Sequence, residues 1–359
     1  MTALARSNRT RRTWWTSATD AAGCSAYTIY NRMLLPAVFV SPEVDCAHLK
    51  RAVQVWDVAC ERQVEITGPD ADTLMQRLTP RDLTQLDLNQ CAYVPICNHD
   101  GGMLNDPVAL KPRADTWWVS LADGELRLWI AGMAEAGGYG LRVFEAEVQP
   151  LAIQGPLSDE LAARVFGDGV RDLRFFRHGR FPFRDGEMIV SRTGYSKQGG
   201  FEVYVESEAD AAALWNDLFD AGADLDVRAG CPNTIERIEG GMLSYGNDMD
   251  ERDTPFEVGL GKFVQRHDCI GGPALKEHVS DRRLMAVEME GPVPGCDRRW
   301  PVTADGERCG VVTSAVWSQE FGCGVAIGMV DRRWDAGREV VVHTQDGPKA
   351  AKLRDRFWR

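Results

Sequence analysis

At 359 residues the chain is too long for one compact core and suits two or three domains. Its 44% hydrophobic and 26% charged residues are those of an ordinary soluble globular protein. A formal net charge of -12 gives the wrong sign of field for nucleic acid or an anionic membrane surface, which leaves a small molecule as the default partner.

The first dozen residues carry Arg6, Arg9, Arg11 and Arg12, with no acid before Asp20. A transit or twin-arginine signal has this composition, but no apolar segment follows, so 1–26 reads as a basic N-terminal arm. Residues 27–40, YTIYNRMLLPAVFV, are too irregular for a helix and read as a second arm laid into the fold. The apolar run Met33 to Val40 is broken by Pro36 and falls far short of the ~20 residues that cross a bilayer. A helical start, a strand at Val64 to Ile66, a Gly-Pro-Asp turn and a helix from Ala71 to Leu78 follow. Strands from Ala92 to Ile96 and Met103 to Leu110 flank the Asp-Gly turn within Asn98 to Gly102, a hairpin signal. A strand from Trp117 to Leu121 and a helix from Leu126 to Ala136, ended by Gly137 and Gly138, close a first α+β region, 27–147.

The segment Leu151-Ala-Ile-Gln-Gly-Pro156 repeats the wording of Val64-Glu-Ile-Thr-Gly-Pro69, and a helix with paired apolar residues follows each. A weak internal duplication is expected, with two related halves meeting around a shared cleft. The second α+β region takes 148–282 and includes a helical extension. From 283 to 359 short strands alternate with turns, as in a small β-barrel. The expected fold class is α+β, two related α/β domains plus a C-terminal β-barrel domain.

The ten cysteines are scattered with no CxxC pair, which points to reduced thiols and a cytoplasmic protein. No grouping of His, Cys and carboxylates has metal-ligand spacing, and no P-loop, GxGxxG or GxSxG occurs. No metal site is expected.

Three stretches carry chemistry. In Phe201-Glu-Val-Tyr-Val205, strand alternation puts Glu202 and Tyr204 on one face. One face in the core and one in water would explain this. A carboxylate beside a phenol would also pair with adjacent N–H donors of a heterocycle while the aromatic stacks on it. The preceding loop, Thr193 to Gly200, gathers Tyr195, Lys197, Gln198 and glycines that permit close backbone approach. In Asp100 to Val108 a continuous strand would set Asp106 between apolar Leu104 and Val108, where a carboxylate needs a partner or a ligand; a turn residue before Pro107 is the plainer alternative. In Ile235 to Asp250, Glu236, Glu239 and Gly240 share a helical face, and the helix would end near Gly246. Two glutamates around Arg237 fit a surface ion-pair ladder better than a site, whereas the Tyr245-Gly-Asn-Asp248 end is harder to explain as surface.

Together these stretches resemble the folate-binding aminomethyltransferase family founded on the glycine-cleavage T-protein. The resemblance lies in Arg192 to Tyr195 with Gly200 to Glu202, in Gly101 to Asp106, and in Glu239 to Asp248. YTIYNRMLLP, VQVWDVACERQVEI, YSKQGGFEVYV, AGCPNTIERIE and LSYGNDMDERDTPFE are similar to the dimethylsulfoniopropionate demethylase branch, so the likeness covers most of the chain. It implies a three-domain clover-leaf around a central folate channel, with tetrahydrofolate as methyl acceptor and a small sulfonium compound as donor. Glu202, Tyr204, Tyr195, Gln154 and Arg237 are then the expected folate-binding residues, and Asp106, near N5 and N10, the catalytic one. Tyr195, Tyr30 and Trp56 would hold the sulfonium by cation–π contact, with Met33 beside them and Lys197 or Arg32 for the substrate carboxylate. Neither membrane nor nucleic acid takes part, and a homodimer is allowed.

Lys197-Gln198 and Gly230-Cys-Pro-Asn233 depart from the T-protein pattern, and Tyr195 stands where the demethylase branch usually has Trp. A methylated amine or an aryl methyl ether as donor, or a glycine-cleavage T-protein, are the alternatives. Relatives that assemble iron–sulfur clusters carry a cysteine in the loop that here spans Thr193 to Gly200, which has none.

Overall fold

The computed structural model describes residues 7–359; Arg6 and the first residues of the basic arm lie outside them. Two compact units are present. The first comprises the chain up to Asp72, Leu86–Tyr93 and Val108–Asn233, and the second Thr73–Gln85, Val94–Pro107 and Thr234–Arg359.

The first unit holds two sheets of matching topology. One has the spatial order Arg142–Glu145, Gln63–Thr67, Thr116–Ser120, Val108–Arg113, Ala92–Tyr93. The other runs Val227–Gly230, Val53–Asp57, Gln149–Gln154, Gly200–Val205, Gly186–Ser191, His178–Phe183. With Val53–Asp57 set aside, the orders coincide strand for strand. In each, a Gly-Pro turn follows the second strand of the shared order, Gln63–Thr67 or Gln149–Gln154, and leads to a helix, Ala71–Leu78 or Ser158–Phe166. Val53–Asp57 is the one addition, and it pairs parallel with Val227–Gly230.

Alternation divides the second sheet. Phe201, Val203 and Val205, with Val53, Val55, Leu151 and Ile153, join Leu161, Phe166, Leu214 and Leu218 of its helices in one core. Each such side chain contributes about 1.5–3 kcal/mol by leaving water. The opposite face sets Ile189 and Tyr204 against Leu110 and Trp118 of the first sheet, so the two sheets pack face to face.

The segment 27–40 is a hairpin rather than an irregular arm: Ala26–Tyr30 pairs antiparallel with Met33–Val38. Asn31 and Arg32 at its tip have φ of 50° and 61°, the left-handed pair of a type I′ turn. The described part of the N-terminal arm is built into the unit. Arg11 bridges to Met33, Trp15 is buried with its Nε1 donating to Ala211 O at 3.0 Å, and Thr13 Oγ1 donates to Asp57 Oδ2 at 2.5 Å.

The second unit contains a closed barrel of Arg282–Met289, Cys323–Asp331, Glu307–Ser318, Trp300–Ala304, Glu339–Thr344 and Gly347–Arg354. Closure leaves no strand edge exposed, and Met285, Val287, Trp300, Val302, Val342 and Leu353 fill it. Helix Thr234–Glu239 lies on the barrel through Ile238, against Val325 and Ile327. It stops at Glu239, not near Gly246, because Gly240 and Gly241 follow and Gly241 is left-handed at φ 63°.

Both strands expected around the Asp-Gly turn are interrupted at prolines. Ala92–Tyr93 pairs with Val108–Arg113 in the first unit, while Ile96–Cys97 pairs with Met103–Asn105 in the second. Pro95 and Pro107 lack the N–H that would continue the ladder. Among the described residues no helix is long and apolar enough to cross a membrane.

Candidate functional site

Strand Gly200–Val205 is central in its sheet, paired with Gln149–Gln154 and with Gly186–Ser191. The apolar side chains fix its inward face, so Glu202 and Tyr204 must share the other. Glu202 is buried, with Thr193 Oγ1 donating to its Oε2, and Ser191 Oγ lies 2.5 Å from Thr193 Oγ1. Burial raises the Glu202 pKa, while the Thr193 hydroxyl works in the opposite direction.

Gln154 ends the neighbouring strand and organises the loop. Its Oε1 accepts from Ser196 Oγ at 2.7 Å, and its Nε2 reaches Thr193 O and Phe201 O, each at 3.4 Å. Gly200 lets the backbone close on this amide: at φ +151° a Cβ would lie 2.2 Å from Ile153 O and 2.5 Å from Gln154 Nε2. Tyr195 is half-buried and Lys197 exposed on the loop so held.

In the second unit Asp106 follows strand Met103–Asn105 directly and is partly buried. Tyr245 Oη donates to Met103 O at 3.0 Å, and Met103 N donates to Asp253 O at 2.8 Å. Two separate sequence motifs thus meet here. Tyr245 is pushed up to about 12 by burial and by the surrounding carboxylates of Asp250, Glu251, Asp106 and Asp253. Gly102 is required, because a Cβ would stand 1.9 Å from Glu251 O.

Arg237, Glu236 and Glu239 form no surface ladder, since all three are buried. Arg237 donates to Asp248 Oδ2 and to Ser314 Oγ, both at 2.8 Å. Asp248 also accepts from Thr313 Oγ1, Ser314 Oγ and Ser244 N. Glu239 accepts from Ser318 Oγ at 2.7 Å and pairs with Arg359. A polar network therefore ties the helix and the Tyr-Gly-Asn-Asp end to the barrel.

The GCVT N-terminal domain model matches residues 15–268, and the glycine cleavage T-protein C-terminal barrel domain model matches residues 282–357. The chain belongs to the glycine cleavage T-protein, or aminomethyltransferase, family. Within this family it is 53% identical over 364 residues to the dimethylsulfoniopropionate demethylase DmdA of Ruegeria pomeroyi, covering 100% of both chains. It is 29% identical over 338 residues to an aminomethyltransferase of Caldanaerobacter subterraneus, covering 90% of this chain and 89% of that one. Its fold matches the crystal structure of the glycine cleavage system aminomethyltransferase T from Bartonella henselae with TM-score 0.83 at 21% identity, over 97% of this chain and 99% of that one.

In this aminomethyltransferase-family chain the expected residues fall into two groups. Glu202, Gln154, Tyr195 and Lys197 stand on one strand-and-loop framework. Tyr204 differs from expectation: it is 1% exposed, its ring 5.8 Å from Trp118, and it serves as packing behind Glu202. Trp56 is fully buried with its Nε1 donating to Gln54 Oε1 at 2.8 Å, and Met33 lies in the core with Tyr30 packed against it. Arg32 is exposed at the hairpin tip and pairs with Glu125 at 2.6 Å. The guanidinium of Arg237 is occupied by Asp248 and Ser314.

Sequence reasoning missed Thr193 as the partner of Glu202 and Ser191 as the partner of Thr193. It also missed Asn31, whose side chain joins Cys60 O, Leu121 O and Gly124 N. The signal for Asn31 was in the sequence, since Asn tolerates the left-handed conformation of a tight turn.

Proposed function

We propose that this chain is a tetrahydrofolate-dependent demethylase that moves a methyl group from dimethylsulfoniopropionate to N5 of tetrahydrofolate, giving methylthiopropionate and 5-methyltetrahydrofolate. The observation that carries this is the 53% identity to a dimethylsulfoniopropionate demethylase across the full length of both chains. The donor set fits a reduced pterin: Glu202 is a buried acceptor, raised in pKa until matching N–H donors arrive.

Tetrahydrofolate supplies the nucleophilic nitrogen. The protein's part is positioning, which contributes roughly 7–11 kcal/mol in well-aligned cases. Glu202 accepts from the pterin edge, and Gln154 fixes the loop beside it. Tyr195 faces the sulfonium, a cation–π contact of about 2 kcal/mol when desolvated. Lys197, on the same loop, or Arg32, which pairs with Glu125 at the hairpin tip, takes the substrate carboxylate. With tetrahydrofolate bound, the S–CH3 bond would break with its electron pair left on sulfur as N5–CH3 forms, and Asp106 would accept the proton that N5 must lose. The ten cysteines are thiols with no disulfide among them, which supports a reducing, cytoplasmic setting.

The test is an anaerobic incubation with tetrahydrofolate and dimethylsulfoniopropionate, followed by mass spectrometry. Appearance of 5-methyltetrahydrofolate and methylthiopropionate together is expected. Folate binding without either product would transfer the assignment to a methylated amine or aryl methyl ether, the donors that Tyr195 leaves open.

A further inference from the structure

The three side chains Ser191, Thr193 and Glu202 form a directed chain. A hydroxyl has one proton to donate. With Glu202 ionised, Thr193 gives its proton to Glu202 Oε2, so the 2.5 Å contact with Ser191 is then a bond donated by Ser191. Both hydroxyls are buried: Ser191 is 0% and Thr193 3% exposed. Ser191 faces Glu202 across the strand pair, whereas Thr193 reaches it from the loop. Each carboxylate oxygen has two acceptor positions, so the Thr193 bond fixes the Glu202 carboxyl without using up the positions a ligand needs.

We propose that Thr193, backed by Ser191, is a positioning residue for tetrahydrofolate: it holds the Glu202 carboxyl in one orientation and favours its charged form when the pterin edge docks. The inference rests on the assignment of Glu202 to folate and deepens it. The other titratable groups around Glu202 are Cys91, held protonated by burial and by Glu202 itself, and Tyr204, likewise raised by burial; Arg177 is the cation acting on Cys91. The Tyr204 hydroxyl lies beside Ser191 and Ser120 without a bond of normal geometry. Neither Cys91 nor Tyr204 supplies positive charge to Glu202, so the charge-favouring donor from the protein is Thr193.

The test measures the tetrahydrofolate Kd as a function of pH for wild type, Thr193→Val, Thr193→Ser and Glu202→Gln. Val keeps the shape of Thr and removes the donor. It should weaken binding about tenfold at neutral pH, the loss of one hydrogen bond to a charged group, and move the rise of affinity with pH to higher pH. Thr193→Ser should restore both. If Thr193→Val fails to fold, Ser191→Ala, one step back in the chain, should shift the profile in the same direction by less. Wild-type Kd and pH profile in Thr193→Val, or in Ser191→Ala where that replaces it, would overturn the inference. Wild-type binding by Glu202→Gln would instead overturn the folate assignment itself, so the two failures are distinguishable.

Discussion

If Glu202 holds the pterin edge as proposed, it sets the pH behaviour of ligand binding. Burial raises its pKa in the free protein, and N–H donors of a bound pterin favour the carboxylate and lower it. Binding must then release a proton, and affinity must rise as pH rises through the free-protein pKa. Calorimetry in two buffers of different ionisation enthalpy should show this release in wild type and none in Glu202→Gln. Tyr195→Ala should raise KM for the sulfonium by about tenfold or more and leave the folate Kd nearly unchanged; an unchanged KM would remove Tyr195 from the donor site. Period-two alternation made the shared face of Glu202 and Tyr204 legible in the sequence. It could not tell what lies over that face, and Trp118 of the other sheet covers Tyr204. Thr193 and Ser191 were invisible because a hydroxyl's partner is chosen by tertiary contact, not by spacing.

Among the elements, two show how local wording can mislead. Glu236, Arg237 and Glu239 have the spacing of an exposed ladder, yet the helix carries buried Ile235 and Ile238 within only six residues, too few to keep a solvent face once it meets the barrel. The buried Arg237–Asp248 pair that results is sensitive to removal of either partner. Asp248→Ala should cost about 3–5 kcal/mol, because it strands a buried guanidinium, and chemical denaturation would show it as a lower midpoint. Gly102→Ala would drive a Cβ against Glu251 O and displace the hairpin that leads to Asp106. Turnover should fall more than tenfold while the folate Kd, on the proposed assignment to Glu202, stays near wild type. The hairpin itself was legible from its Asp-Gly turn; the breaks at Pro95 and Pro107 could have been read from the prolines, since neither can donate to a ladder.

For the whole molecule, the repeated Gly-Pro wording correctly announced related halves. The inserted strand Val53–Asp57 was not foreseeable, because its partners Gln149–Gln154 and Val227–Gly230 are remote in sequence. That strand carries a second acid of unusual character, Asp57, pushed up to about 7 by burial against the opposing bonds from Thr13 and Ala59. With the folded value above the ordinary 3.9 of an unfolded chain, its contribution to stability is fully present below about pH 4 and lost as pH rises to about 7. Asp57→Asn cannot ionise; its one oxygen keeps the Thr13 bond and gives up the one from Ala59 N. Its Tm relative to wild type should be higher at pH 8 than at pH 5, and an equal difference at both would show that Asp57 does not titrate in this range.

The discontinuity of the second unit has a consequence for biosynthesis. The hairpin that ends at Asp106 is fastened by Tyr245, 142 residues further along the chain, and by the backbone of Asp253. A ribosome has therefore synthesised the strands of both first-unit sheets before the partners of that hairpin exist. The early strands of the first unit can pair as they emerge, whereas the proposed catalytic carboxylate waits unfastened until Tyr245 and Asp253 follow, so on a nascent chain the sheets should form before the hairpin is fixed.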